Sequence, residues 1–541
     1  MEDQIIQTVN QQEKSLTVNP KIWNDKSEKL LTPDFLKLLT NLHLCLNEER
    51  KAILDFRHQI NKALQKEFKQ VLSDQQIVVE DFECAAIPDA LQNLRTQIIC
   101  PANQTHELIK LVNGNERYLK PDAVVIDFSS TLKPSWNNVF DGANNVIEIA
   151  NANARFTQRS FAEFSITGEK HVTTQPQLII RPRQLQCNES NITVNDETYS
   201  AAMLDVALIV FHSTTLFIAK DKIPVFNITC TNHYEAQWWN ELFTVLEEVL
   251  NVNEGQLKVI VAIDGTQGSV VADAIIFELR NRIVGIEADF KGKVVNDLKL
   301  LRKKADNIVA ERKTFQVTDV SLQILSKQIC ALALKYKLLA VAGLSVNAAG
   351  KFVDFKDVKI AHYEEELNLI NALGFNLLTV SHQGYIEYLR DNLKAVVAAA
   401  SIPQHCDVLA THSPIVSMLG LRDNVRTAIT YMHAWNQGIG YAVFDNRWED
   451  LQTFEIIRAQ VYQWRRNSVH IATTGERING RMITTIILEE TDKLQNEIKE
   501  EFAGNPISEI QTIQNTYTQA ALEVEALFLD DELLEYFGNV S

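Results

Sequence analysis

Short apolar runs recur through the middle of the chain, and several stop abruptly at a charged side chain: LIIRPR at 178–183, VIVAID at 259–264 and RIVGIEAD at 282–289. A run that is apolar on both faces and ends on a functional group predicts a buried parallel strand with chemistry at its carboxyl end. That is the plan of a (β/α)8 barrel. AVVID (123–127), VFNITC (225–230), TFQVT (314–318), LLAVAGL (338–344) and NLLTVS (376–381) complete a set of eight strands. Helical periodicity separates several of them, as at 234–250 and 321–337. The pattern predicts an α/β fold, a (β/α)8 TIM barrel over 96–404, with the Asn-, Ser- and Thr-rich interval 128–175 as an insertion.

Residues 1–95 read as a mainly helical segment, frayed over about the first 15 residues. Phe35, Leu38, Leu39, Leu42 and Leu46 recur at helical spacing, and Thr32-Pro33 supplies a cap and a first-turn proline. Over 405–541 strand signals fade into helices with Gly-rich breaks, predicting a C-terminal helical domain.

A net charge of −17 over 541 residues argues against a broad nucleic-acid face or a surface for anionic membranes, so neither partner is expected. The cysteines, at 45, 84, 100, 187, 230, 330 and 406, never form a CxxC and read as reduced thiols. The sequence carries no visible secretory signal, no SKL-type address, and no uninterrupted apolar segment of membrane-spanning length. A cytoplasmic protein is expected.

At the strand tips, Arg181, Asp264 and Asp289 suit an enzyme handling anions and a divalent metal. Each has a plainer alternative. Arg181 and Arg183 can form structural ion pairs, Asp264-Gly265 can be a turn, and Glu287 with Asp289 can be a solvated acidic loop. Asp450 opens an apolar-faced helix, where an acid is ordinary. His382 and His412 fall in loops, the Trp238–Trp239 pair reads as core, and no phosphate-binding glycine loop is present.

Several strings, in order along the chain, resemble the shorter form of malate synthase. NRWEDLQTFEIIRAQVYQW (446–464) is similar to a family stretch in which an Asn and a Glu-Asp pair precede T-x-E-I-x-R-A-Q-x-W-Q-W. GLRDNVRTAITYMHAWNQGIG (420–440) resembles G-L-R-x-N followed by A-W-x-x-G-x-G. KPSWNNVFDG (133–142), IIRPR (179–183), LDVALIVFH (204–212) and FELR (277–280) add to the series.

The resemblance implies a barrel with an N-terminal helical clasp and a C-terminal helical domain. It also implies condensation of acetyl-CoA with glyoxylate to give malate and CoA, with Mg²⁺ polarising the aldehyde. On that pattern Asp450 matches the catalytic base and Arg181 the enolate-stabilising arginine, while Asp264 stands where the family has a Glu metal ligand. Counted without gaps from FELR, the second metal ligand falls on Gly292; a three-residue deletion places it on Asp289, with Glu287 a nearby substitute.

The chain also departs from the family strings. Gly-Trp-His after the arginine motif reads Gln184-Leu185-Gln186, D-F-E-D reads Asp127-Phe128-Ser129-Ser130, and P-K-L-E-S reads Ile228-Thr229-Cys230-Thr231-Asn232. Three expectations follow from the mixture: an active enzyme using glyoxylate or another 2-oxo acid, a catalytically inactive homologue with a binding or regulatory role, or a barrel lyase acting on acyl-CoA esters.

Overall fold

The computed structural model describes residues 16–539, apart from 68–69, 72–73, 76, 78, 115–118, 152–174, 349–360 and 393–414. Thirteen strands are described: β1 (Leu16–Val18), β2 (Thr96–Pro101), β3 (Ala123–Asp127), β4 (Gln177–Arg181), β5 (Asn188–Val194), β6 (Glu197–Ser200), β7 (Val225–Cys230), β8 (Lys258–Ile263), β9 (Ile283–Ala288), β10 (Leu339–Ala342), β11 (Leu377–Val380), β12 (Tyr441–Phe444) and β13 (Arg447–Asp450). Eight of them close a barrel in the order β10-β11-β2-β3-β4-β7-β8-β9. Every neighbouring pair is parallel, and β9 to β10 completes the ring. Ile99, Val125, Ile179, Ile260 and Val341 fill the interior, so the barrel is packed and its chemistry lies at the rim.

Among the barrel strands, one prediction was wrong and one strand was overlooked. TFQVT does not pair: it follows a 3-10 turn at Arg312–Thr314, and its buried Phe315 and Val317 pack from a connector. The true first barrel strand, TQIICP, carries polar residues that mask it. Gln97 is fully buried and donates to Thr379 Oγ1 at 2.8 Å, a polar bond between the adjacent strands β2 and β11.

Part of the expected insertion is helical. Trp136–Asn151 is a helix whose Val139, Phe140, Ala143 and Val146 are buried. Its asparagines do structural work, Asn145 donating to Ala102 O at 2.8 Å. The remainder of that interval, 152–174, lies outside the described residues, as do the first 15 residues and the 404/405 boundary.

The clasp is the 34-residue helix Pro33–Lys66, started by Thr32 Oγ1 accepting from Phe35 N at 3.3 Å. Trp238, in the helix after β7, donates to Leu46 O at 3.0 Å and pins the clasp to the barrel wall. Trp238 and Trp239 are both core.

The helix Ala201–Ile218 is long and apolar enough to cross a bilayer by length and composition, with mean hydropathy 1.8, although Asp205, His212, Ser213, Thr214 and Thr215 interrupt its apolar run. Within the fold 72% of that window is buried. It also carries Asp205, which fixes Arg183: Asp205 accepts from Arg183 Nη2 at 2.7 Å and Nε at 3.0 Å, while Glu189 accepts from Nη1 at 3.0 Å. Arg183 is thus the structural ion pair anticipated as an alternative. Asp205→Ala would leave a buried guanidinium undercompensated, and a loss of about 3–5 kcal/mol is expected in urea unfolding. An unchanged midpoint would show the cluster to be dispensable.

The C-terminal region is helical except where strands were not expected. β12 and β13 form a hairpin whose two-residue turn, Asp445-Asn446, has φ of 50° and 58°. Positive φ at both positions suits the tight turn that matches strand twist, and Asp and Asn tolerate it. Trp448 N donates to Ala348 O at 3.0 Å and Leu451 N to Ser130 O at 2.9 Å. These two bonds seat the end of the hairpin on the barrel rim.

Candidate active site at the barrel rim

Asp450 is the last residue of β13 and the N-cap of the helix Leu451–Arg466. Its Oδ1 accepts from Thr453 N at 2.9 Å and from Thr453 Oγ1 at 3.1 Å. Its Oδ2 accepts from Lys291 Nζ at 3.0 Å, and Lys291 also bonds Thr453 Oγ1 at 3.1 Å. Both members of the pair are almost fully buried. Asp450 therefore combines the helix-start acid of the plainer reading with a position over the barrel.

Lys291 was missed in the sequence, although a signal was there. It lies in the first turn of the helix Phe290–Leu301, where a cation opposes the helix dipole and needs an acid from elsewhere. Lys291→Met keeps the length and removes the charge. Breaking a buried pair from one side is expected to cost about 3–5 kcal/mol in urea unfolding, with Lys291→Arg milder. Equal stability of Lys291→Met and wild type would contradict the pairing.

Arg181 ends β4, and its guanidinium is not open. Nη2 donates to Glu287 Oε1 at 3.1 Å and Oε2 at 3.3 Å, and Nε to Asn227 Oδ1 at 3.3 Å. Asn227 in turn bonds Glu287, so β4, β7 and β9 share one polar layer. Burial opposes the charge on Arg181, but Glu287, then Asp127, Asp289 and Asp450, hold its pKa above the ordinary value. Glu287 is thereby the arginine's partner and not a loop acid.

Asp127, at the tip of β3, accepts from Ser130 Oγ at 2.8 Å and from Ser129 N at 2.9 Å. It shapes the loop whose Ser130 carbonyl receives Leu451.

Asp264 and Asp289 come together around Gly292. A Cβ on that glycine would stand 2.7 Å from Asp289 Cγ and 2.8 Å from Asp264 Cβ, so a side chain at 292 would collide with both carboxyl-bearing residues. Asp289 caps its helix, with Oδ1 accepting from Gly292 N at 2.9 Å and Oδ2 from Gln452 Nε2 at 2.7 Å. Asp264 caps nothing, although it precedes a short helix at Gly265–Val270. Its Oδ1 is buried without a hydrogen-bond partner. Burial, then Asp289 and Glu235, push its pKa up to about 8, and burial raises that of Asp289. An orphaned oxygen on one of two adjacent acids fits a divalent cation. Among the described residues no group of three or more His, Cys, Asp or Glu gathers to hold a metal, so water and substrate would supply the other ligands.

A solvent-connected cavity lies against Asp264, walled by the clasp helix, the loops after β4, β7 and β8, and the C-terminal tail. His382 takes no part in it: its Nδ1 accepts from Gly384 N at 2.9 Å in the turn after β11. His412 lies outside the described residues.

The family description "Malate synthase, TIM barrel domain" matches residues 177–361, and "Malate synthase, C-terminal" matches 416–532. Between them these cover more than half of the chain, including all four candidate site residues. The chain belongs to the malate synthase family. Malate synthase A of Escherichia coli is 23% identical over 542 residues, spanning 95% of each chain. The malate synthase of Myxococcus xanthus is 24% identical over 500 residues, spanning 89% of each. A solved malate synthase of Haloferax volcanii overlays with a TM-score of 0.43 at 14% identity, covering 80% of this chain and 98% of that one.

Proposed function

We propose that this member of the malate synthase family condenses acetyl-CoA with glyoxylate or a related 2-oxo acid. The observation that carries the reading is the grouping at one end of the barrel. A buried carboxylate, Asp450, is delivered by the C-terminal region to a rim that also bears Arg181, Asp264 and Asp289.

Asp450 is the base that takes a methyl proton from the thioester, and Arg181 faces the developing enolate oxygen with a permanently charged group. Asp264 and Asp289 would hold Mg²⁺, which when bound supplies Lewis-acid polarisation of the acceptor carbonyl. Lys291 fixes the orientation of Asp450, and Thr453 holds its other oxygen. Glu287 keeps Arg181 aligned across the barrel mouth. Release of free thiol from acetyl-CoA, dependent on a 2-oxo acid, tests the reading; no such release from folded protein defeats it.

One observation favours a second reading, a catalytically silent homologue kept for binding or regulation. Arg181 and Asp450 both already hold opposite charges, Glu287 and Lys291, which substrate must compete with. On that reading acetyl-CoA binds and no thiol appears.

A further inference from the structure

Of the Glu-Asp pair at 449–450, the condensation uses only Asp450. Successive side chains of β13 point to opposite faces, so Asp450 meets Lys291 while Glu449 turns the other way, into a second buried cluster. There Arg312 Nη1 donates to Glu449 Oε1 and Oε2, both at 2.9 Å, and Nη2 donates to Asp423 Oδ2 at 3.0 Å. Arg447 closes the ring, donating from Nη2 to Asp423 Oδ1 at 3.0 Å and standing with Nε 3.4 Å from Glu449 Oε1. Two cations face two anions, and the Arg312 and Glu449 side chains are 0% and 1% exposed.

The ring joins three separate segments. Arg312 belongs to the connector after the helix Phe290–Leu301, Asp423 to the helix Met418–Asn436, and Arg447 with Glu449 to β13. The connector is not free to follow a displaced hairpin, because the helix that Asp450 caps holds it. Gln460 Nε2 donates to Ala310 O at 2.6 Å and Trp464 Nε1 to Val309 O at 3.0 Å, while Gln463 Oε1 accepts from Val309 N at 2.9 Å. Asn347 holds its far side, donating from Nδ2 to Phe315 O at 3.0 Å, next to the Ala348 carbonyl that seats Trp448. One guanidinium bonded to acids from two segments fixes their relative placement, and burial keeps water from competing. Since charge balances within the ring, its effect on the base is one of placement.

Resting on the condensation reading above, we propose that Arg312 and Glu449 are positioning residues for the reaction. They clamp β13 from its outer face and so hold the Asp450 carboxylate where it can take the acetyl methyl proton. Both act through Asp450 and not on the substrate. Lys291 and Thr453 set the rotation of that carboxylate, and the ring sets where its backbone stands. A displacement of about 1 Å in a reacting group can cost about 10²-fold in rate.

The test is thiol release by wild type and Glu449→Gln with Mg²⁺ and glyoxylate or pyruvate, using acetyl-CoA with a protiated and with a deuterated methyl group. In Glu449→Gln, kcat per folded molecule is expected to fall by about 10²-fold with KM for acetyl-CoA unchanged. The deuterium isotope effect on kcat should be at least as large as in wild type, because proton transfer is the step that slows. Arg312→Lys keeps the charge but not a planar group that reaches two acids, so it should fall in the same direction by less, and it stands in if Glu449→Gln does not fold. A kcat per folded molecule equal to wild type, a loss confined to KM, or a fallen kcat with a smaller isotope effect overturns the proposal. If folded wild type releases no thiol, the condensation reading fails, and urea unfolding of Glu449→Gln, Lys291→Met and the double variant decides the clamp. Losses that do not add support it, since the grip of Lys291 on Asp450 then depends on the ring; additive losses overturn it.

Discussion

Asp450→Asn is expected to leave a folded protein whose thioester condensation falls by about 10²–10⁴-fold or more, the span a positioned general base contributes. Asn keeps the N-cap, since its side-chain oxygen still accepts from Thr453 N; its amide nitrogen then faces Lys291, which keeps Thr453 Oγ1, so the variant folds with lower stability from the lost ion pair. What disappears is the capacity to hold a proton taken from the methyl group. Circular dichroism and gel filtration should match the parent while thiol release vanishes. Turnover equal to wild type would place the base elsewhere and strip Asp450 of its role, leaving only the helix cap and the ion pair.

The second large effect concerns Asp264 and magnesium. An acid with an unfolded pKa near 3.8 and a folded value of about 8 binds its proton more tightly in the native state. Below about pH 4 both states hold the proton and there is no penalty. Between 3.8 and about 8 stability falls as pH rises, and above that window the whole cost is present, on the order of 5 kcal/mol by linkage. A divalent cation at the carboxylate replaces the proton and relieves the cost. Mg²⁺ should therefore raise Tm strongly at pH 8.5 and much less at pH 6, where protons compete. Asp264→Asn should lose that response and be the more stable protein without Mg²⁺ at high pH. An equal Mg²⁺ shift in the variant would remove Asp264 from the cation site.

The sequence disclosed the barrel because most of its strands are buried on both faces and read as apolar runs, as AVVI in β3 and VIVAI in β8 do. It concealed β2, whose Gln97 spends its polarity on a bond to the neighbouring strand, and it concealed the helix at Trp136–Asn151 behind asparagines that brace it to nearby loops. TFQVT misled because hydrophobic residues were taken for pairing, when Phe315 and Val317 pack from a connector.

At the site, acids at strand tips were legible one by one, and Asp264 and Asp289 both lie against Gly292. The glycine leaves space for the Asp289 carboxylate and the Asp264 Cβ. Partners drawn from distant segments were not legible. Glu287 reaching Arg181 and Lys291 reaching Asp450 join residues 106 and 159 positions apart, a separation no local pattern encodes.

Carbon–carbon bond formation is the step that separates this chain as a condensing enzyme from a thioester binder or a simple hydrolase. Acetyl-CoA labelled with ¹³C at the methyl carbon, incubated with Mg²⁺ and a 2-oxo acid, can be followed by NMR. The label is expected to move into the methylene carbon of a new hydroxy diacid as CoA appears, and to stay put in the Asp450→Asn variant. Label that remains in acetyl-CoA, or emerges only as acetate, would contradict the account.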